Sequence, residues 1–265
     1  MFSISKTQRS FIAMFALGGS LLGCAAFQED TFKWKVHDMD RPKPTVVTPG
    51  SFGTAEKPGT PPSNVNVLLG PGTGLKAWTT NGGDAAWDVT EDGIAQVKGG
   101  DIKTRDDFRN VQIHVEWMIP EDRECNGQAG CNSGVFFMDQ YEVQILGTHN
   151  NESYSDGMAG SLYGQNPPLA NLCRPNGEWN SYDILFQAPK FAENGDLVSP
   201  AYVTVIFNGV VVQNNFAMTG TTAHMARAKY KKHADRMPIR IQDHSDPIKF
   251  ANIWVMEIPD HQTAE

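Results

Sequence analysis

The chain has 265 residues, with 30 Asp and Glu against 22 Lys and Arg, for a formal charge of −8. That balance argues against a nucleic-acid binder, which needs a basic surface to displace counterions from phosphates. It suits a periplasmic or surface protein that meets neutral ligands.

Lys6 and Arg9 open the chain as a short basic region, and an apolar run from Phe11 to Leu22 ends in Leu21-Leu22-Gly23-Cys24. Basic, apolar and small-residue segments in this order read as a signal peptide over residues 1–23. The last four residues fit a lipobox, in which the Cys24 thiol accepts a diacylglycerol and becomes the new N-terminus. The alternative is a plain secretory signal with a chance cysteine. The run is shorter than the roughly 20 residues that cross a bilayer. Cleavage leaves 242 of the 265 residues and, with Lys6 and Arg9 gone, moves the formal charge from −8 to −10. Ala25, not Asp, follows the cysteine, which favours outer-membrane sorting in a cell that has one. The expectation is a bacterial cell-envelope protein, lipid-anchored and facing the periplasm or exterior.

Residues 24–64 then read as the lipidated cysteine and a Pro/Gly-rich tether, punctuated by Pro42, Pro44, Pro49, Pro58, Pro61 and Pro62. Apolar periodicity here is too weak to offset the entropy of ordering. The exception is Phe32 to Val36, a candidate edge strand. From Val65 the chain is strand-like. Ala86–Val89 and Ile94–Val97 flank a turn at Asp92-Gly93, a good hairpin signal. Residues Val111, Ile113, Val115, Trp117 and Ile119 alternate with Gln112, His114, Glu116 and Met118, and Tyr141, Val143 and Ile145 alternate with Glu142 and Gln144. Further strands are expected at 182–187, 202–207 and 210–213, the last two joined by Asn208-Gly209. Two more are expected at 239–242 and 248–258. Only 223–232 offers a helical candidate. Many short strands with Gly-rich turns and no alternating helices indicate an all-β sandwich or jelly roll over residues 65–258, with 259–265 as a tail.

Cys125 and Cys131 flank the flexible Asn126–Gly130 segment and are expected to close a small disulfide loop in an oxidising compartment. Cys173 has no obvious partner, and the three lack the paired spacing of a zinc site.

Period-two alternation turns a distinctive set away from the core: His114 and Glu116, Glu142 and Gln144, then Arg240, Gln242 and His244. Carboxylates, amides, imidazoles and a guanidinium on neighbouring strands would hydrogen-bond sugar hydroxyls well. Taken singly, each is better explained as a structural or solvated polar group than as a ligand contact; taken as three sets on separate strands, they favour a binding face. Two loops could rim such a site, Gly160–Pro168 displaying Tyr163, and Asn176–Asn180 leading into a strand.

The ordered series Phe108-Arg109-Asn110-Val111-Gln112-Ile113-His114-Val115-Glu116-Trp117, Asn132-Ser133-Gly134-Val135-Phe136-Phe137, Tyr141-Glu142-Val143-Gln144-Ile145-Leu146, Gly160-Ser161-Leu162-Tyr163-Gly164, Gly177-Glu178-Trp179-Asn180, Phe207-Asn208-Gly209-Val210, Pro238 to His244 and Phe250 to Trp254 resembles the 3-keto-disaccharide hydrolase domain family. The resemblance covers roughly residues 65–258 and implies a concanavalin A-like jelly roll. It also implies cleavage of 3-keto-glycosides or 3-keto-disaccharides by C2 deprotonation, elimination and hydration. This chain departs from the family pattern in the Cys125–Cys131 insertion and in Phe250-Ala251-Asn252, where an Arg often precedes the Asn.

Projected onto the resemblance, Glu142 and His244 are the candidates for proton transfer. His114, Glu116, Gln144, Tyr163, Asn180, Arg240 and Gln242 are the candidates for substrate binding. Asp243, of opposite parity to His244, supports a loop or binds a metal. No cofactor is required for this reading, although a divalent ion bridging the keto oxygen and a hydroxyl would also fit, with Asp243, His244 or Glu142 as ligands. The partners implied are a carbohydrate or glycoside and, through the N-terminal lipid, a membrane. Two other readings stay open, a non-catalytic lipid-anchored carbohydrate-binding module and a structural surface domain. An enzyme requires Glu142 and His244 in one deep site, a module requires a shallow aromatic groove, and a structural domain requires neither.

Overall fold

Alternation between apolar and polar residues builds two layers in the computed structural model, which describes residues 33–80 and 83–260. The signal segment, Cys24 and residues 261–265 lie outside the described residues. The chain divides into two units, Met1–Lys43 with Thr263–Glu265, and Pro44–Gln262. In the first, the described residues 33–43 form turns and bends, so Lys33 to Val36 is not the edge strand expected there.

The second unit holds the β-sandwich (jelly roll). One described sheet has eight strands. Seven run in the spatial order Val210–Ala217, Tyr202–Phe207, Trp179–Gln187, Val111–Met118, Lys249–Glu257, Ala95–Gln96 and Asp88–Val89. The eighth, Asn66–Leu69, also pairs with Lys249–Glu257. The other sheet has six strands, in the order Gly83–Asp84, Trp78–Thr80, Ile102–Thr104, Arg240–Ile241, Asn132–Phe137 and Tyr141–Leu146.

Alternate side chains of the two sheets fill the space between them. Val111, Ile113, Val115 and Trp117 face Val135, Phe137, Tyr141, Val143 and Ile145 in one continuous buried cluster. Phe137 stacks on Phe186 across the layers at 4.5 Å between centroids. Within this core the Tyr182 hydroxyl donates to the Gln144 carbonyl at 2.8 Å. A residue of one sheet thus fixes the backbone of the other. The hairpin expected at Asn208-Gly209 forms, with both residues in the left-handed region (φ 46° and 84°) that such a turn needs.

Two expectations about irregular segments need revision. Residues 223–232 form turns and coil, not a helix. That segment is pinned by Tyr230, whose hydroxyl accepts from Ala201 N at 2.8 Å and donates to the Met218 carbonyl at 3.0 Å. A Cβ on Gly220 would lie 1.9 Å from the Ala228 carbonyl oxygen, a close approach that only glycine permits. The segment read as a tether up to residue 64 belongs to the compact unit from Pro44 onward. Ser51 and Thr60 pair as a short antiparallel bridge. Ala55 accepts a hydrogen bond from Trp179 N at 2.8 Å, and Gly59 N donates to both Glu116 carboxylate oxygens.

Candidate active site

The outward face of the six-stranded sheet carries the site. Cross-strand register sets Glu142 opposite Phe136, Phe136 opposite Arg240, and Gln144 opposite Gly134. Gln242 extends the same row, its amide donating to the Gly134 carbonyl. The outer edge of this sheet is covered by two loops, which supply the walls. Gln144 N donates to the Ser161 carbonyl and Thr222 N to the Gln140 carbonyl, while Glu142 N donates to Thr222 Oγ1 at 3.0 Å.

Strands and loops together enclose a hollow of about 320 Å³ lined by Asn132, Phe136, Glu142, Gln144, Tyr163, Thr222, Ala223, His224, Gln242 and His244. Glu142, Gln144, Tyr163, Gln242 and His244 therefore share one site. Thr222, Ala223 and His224 join them from a loop whose sequence has no periodicity to betray its role. Phe136 and Asn132 come from a strand that the sequence marks only as part of a motif.

The geometry around Glu142 depends on a missing side chain. A Cβ at Gly134 would sit 2.4 Å from Glu142 Oε1 and 2.9 Å from the Phe136 ring. Glycine there leaves the room that the carboxyl fills. The Gln144 amide lies 2.9 Å from Glu142 Oε1 on one side, and 3.1 and 3.3 Å from the Gln128 and Asn132 amides on the other. In one orientation its NH₂ donates to Gln128 Oε1 and Asn132 Oδ1; turned over, it donates to Glu142 Oε1 and to the Ser133 carbonyl, 3.2 Å away. Burial pushes the Glu142 carboxyl up to about 8, opposed by the positive field of Arg240. A carboxyl so raised is a proton donor at neutral pH. The Tyr163 hydroxyl, 2.6 Å from Tyr154 Oη and 3.1 Å from His224 Nδ1, is pushed up first by burial and then by its bond to Tyr154. It stays protonated.

Four expected site residues lie elsewhere. Arg240 is on the correct face but does not line the hollow. It ion-pairs with Asp139 and, at 2.7 Å, with Asp101, and its guanidinium lies 3.6 Å from the centroid of the Phe136 ring. It braces Phe136 and acts on Glu142 through its charge.

His114 and Glu116 belong to the eight-stranded sheet, whose outward face points away from the site. His114 Nδ1 is 2.8 Å from Asp183, and its Nε2 is 3.0 Å from Glu116. The ring stacks on Trp254. Asn252 Nδ2 donates to Glu116 at 2.7 Å. Burial alone would lower the His114 pKa, but its bonds to Asp183 and Glu116 outweigh that and raise it to about 9. Asn180, also in that sheet, is a backbone brace that accepts from Arg174 N and Asn208 Nδ2 at 3.0 Å each. Alternation gives His114 and Glu116 the correct outward parity, but parity does not say which of two sheets a strand joins, and Asn180, expected at a loop rim, lies on the core-facing side of its strand beside Tyr182.

Asp243 supports a loop. Its carboxylate accepts from Gly100 N and Ser245 N at 2.7 Å each. Of the three candidate metal ligands, only Glu142 and His244 face the hollow. Among the described residues no three His, Cys, Asp or Glu side chains gather to hold a metal ion. Cys125 and Cys131 form a disulfide, with Cα atoms 5.4 Å apart, and Cys173 is free and buried.

The hollow lies on the outer face of one layer, walled by loops, and likeness to known proteins places the chain among carbohydrate-active β-sandwiches. The chain belongs to the family described as 3-keto-alpha-glucoside-1,2-lyase-like domain, which it matches over residues 66–256. A crystal structure of a protein from Parabacteroides distasonis ATCC 8503, provisionally described as a glycosyl hydrolase, is 43% identical. The match covers 84% of this chain and 97% of that one, with a TM-score of 0.76. A second structure from the same organism and with the same description shares the fold at 21% identity and a TM-score of 0.53, over 72% of this chain and 93% of that one. A third does so at 19% and 0.55, over 74% and 100%. No curated protein matches the chain.

Proposed function

We propose that the protein cleaves glycosidic bonds in 3-keto-glycosides or 3-keto-disaccharides by C2 deprotonation and elimination followed by hydration. The observation that carries this reading is a buried carboxyl with a raised pKa, Glu142, sharing a polar hollow with the His244 imidazole. Membership of the family and the 43% identical relative support it.

A ketone at C3 acidifies the C2 proton. Its removal leaves an enolate with charge on the C3 oxygen. As the ketone re-forms, the C1–O bond breaks, the departing oxygen takes a proton, and a C1=C2 double bond remains. Water then adds across that bond, hydroxyl to C1 and hydrogen to C2. In this reading His244 accepts the C2 proton and Glu142, protonated at neutral pH, supplies one to the departing oxygen. The amides of Asn132, Gln144 and Gln242 hold the sugar hydroxyls and the enolate oxygen, and the Tyr163 hydroxyl is a further donor. The protein works from the cell envelope, held by a lipid on Cys24. Replacing Cys24 with Ser would move it from the membrane to the soluble fraction.

The test is aglycone release by the purified protein from 3-keto-glucosides and from their unoxidised parents. Release from the keto substrates alone, lost in Glu142→Gln, is the expected result. Release from both sets at similar rates would indicate an ordinary glycosidase. Binding without release would leave a carbohydrate-binding module.

A further inference from the structure

A second hollow of about 470 Å³ adjoins the first and shares Tyr163, Ala223 and His224 with it. Its remaining walls are Tyr154, Asp156, Gly164, Met225, Ala226 and Arg227. The two differ in chemistry. The inner one offers a carboxyl, three side-chain amides and two imidazoles, while the outer is faced by two phenol rings, the shared His224 imidazole, a thioether and alanine methyls, with single charges from Asp156 and Arg227.

The boundary between them is a hydrogen-bonded row. Tyr154 Oη is 2.6 Å from Tyr163 Oη, which is 3.1 Å from His224 Nδ1. The two phenol rings meet edge-on, at 66° and 6.1 Å between centroids. Tyr154 is seated by a close contact, since a Cβ on Gly157 would lie 2.1 Å from its ring. Met225 is held in the left-handed region (φ 53°) with its side chain 92% exposed. A long side chain in that conformation is unusual, and Met225 stands at the rim of the outer hollow and not in the core.

We infer that the outer hollow is a leaving-group subsite selective for a planar aromatic aglycone, so that the preferred substrates are aryl glycosides and not disaccharides. This rests on the inner hollow holding the sugar ring. A second sugar would need planar hydrogen-bonding groups like those inside, and beyond the Tyr154–Tyr163–His224 row, whose polar atoms already bond one another, the outer walls supply only Asp156 and Arg227. An aromatic ring instead meets the edges and faces of Tyr154 and Tyr163, the Met225 sulfur and the flat Arg227 guanidinium.

The test separates binding from turnover. Full-length Glu142→Gln protein is titrated calorimetrically with the 3-keto forms of methyl glucoside, 4-nitrophenyl glucoside and a glucosyl-glucose, in both anomers. The aryl ligand is expected to bind at least about tenfold more tightly than the methyl one, and more tightly than the disaccharide. Adding Tyr154→Ala, or Met225→Asp at a fully exposed position, is expected to bring the aryl-to-methyl ratio to within about twofold. Equal aryl and methyl affinity, tighter binding of the disaccharide, no binding of any ligand, or an unchanged ratio in both variants would overturn the inference. Release of aglycone by the unsubstituted protein is scored separately. An aryl preference in binding without any release would leave the subsite standing and remove the catalytic reading.

Discussion

Burial of the Glu142 carboxyl carries a cost to the fold that depends on pH. Its carboxyl has a pKa of about 8 when folded against an ordinary value of 4.5. Stability is therefore undiminished below about pH 4.5 and is lost progressively as pH rises through 8. Glu142→Gln is expected to abolish turnover and to raise unfolding stability by on the order of 4 kcal/mol more at pH 9 than at pH 4. Denaturant unfolding at the two pH values checks this. The same titration sets the direction of the pH–rate profile. With Glu142 as the acid, kcat/KM falls as pH rises through about 8, whereas a Glu142 base would make it rise. Protonation also reverses the polarity of the contact with Gln144, and an amide can turn over to follow, offering NH₂ to a carboxylate and C=O to a carboxyl. Gly134→Ala should cut kcat at least about tenfold without unfolding the protein, because a methyl there takes the carboxyl's place. A circular dichroism spectrum alongside the rate measurement separates the two effects.

Among elements, strands were the more legible in the sequence. Clean alternation at Val111–Met118 and Tyr141–Leu146 appears as written, and the Asn208-Gly209 turn needed nothing beyond its two residues. The Asn132–Phe137 strand puts Gly134 and Phe136 on the face where its neighbour carries Glu142 and Gln144, so it lacks polar alternation and shows only as part of a motif. The loops were harder to read. What brings Thr222 and His224 over the sheet is the anchoring of Tyr230 and the closeness of Gly220 to Ala228, contacts between residues that no local pattern connects.

The Cys125–Cys131 loop reaches the site through Gln128, whose side chain bonds Ser153 and the Gly157 carbonyl and lies 3.1 Å from the Gln144 amide. Replacing both cysteines with Ala should lower stability by about 2 kcal/mol, as expected for a short closed loop. It should raise KM more than it lowers kcat, since the loop orients an orienting residue. Thermal unfolding and steady-state kinetics read the two effects apart.

For the molecule as a whole, the decisive feature is which layer each outward polar set belongs to. His114 and Glu116 were marked by the same parity as Glu142 and Gln144, yet they sit under the Pro44–Pro62 segment on the other sheet. There an imidazolium, held up to about pH 9, lies between Asp183 and Glu116. Its stabilisation is complete below the unfolded value of 6.5 and is lost as pH rises through 9. Global unfolding free energy should therefore drop by on the order of 3 kcal/mol between pH 7 and 10.5, and His114→Ala should flatten that drop.

That cluster also fixes the route by which the polypeptide enters the sandwich. Gly59 and Gly53 lie against Glu116 on the outer surface of the eight-stranded layer, and the polar hollow is on the outer surface of the six-stranded one. The Pro44–Pro62 strap thus braces one layer from behind, and none of the residues that line the hollow on the opposite layer comes from it.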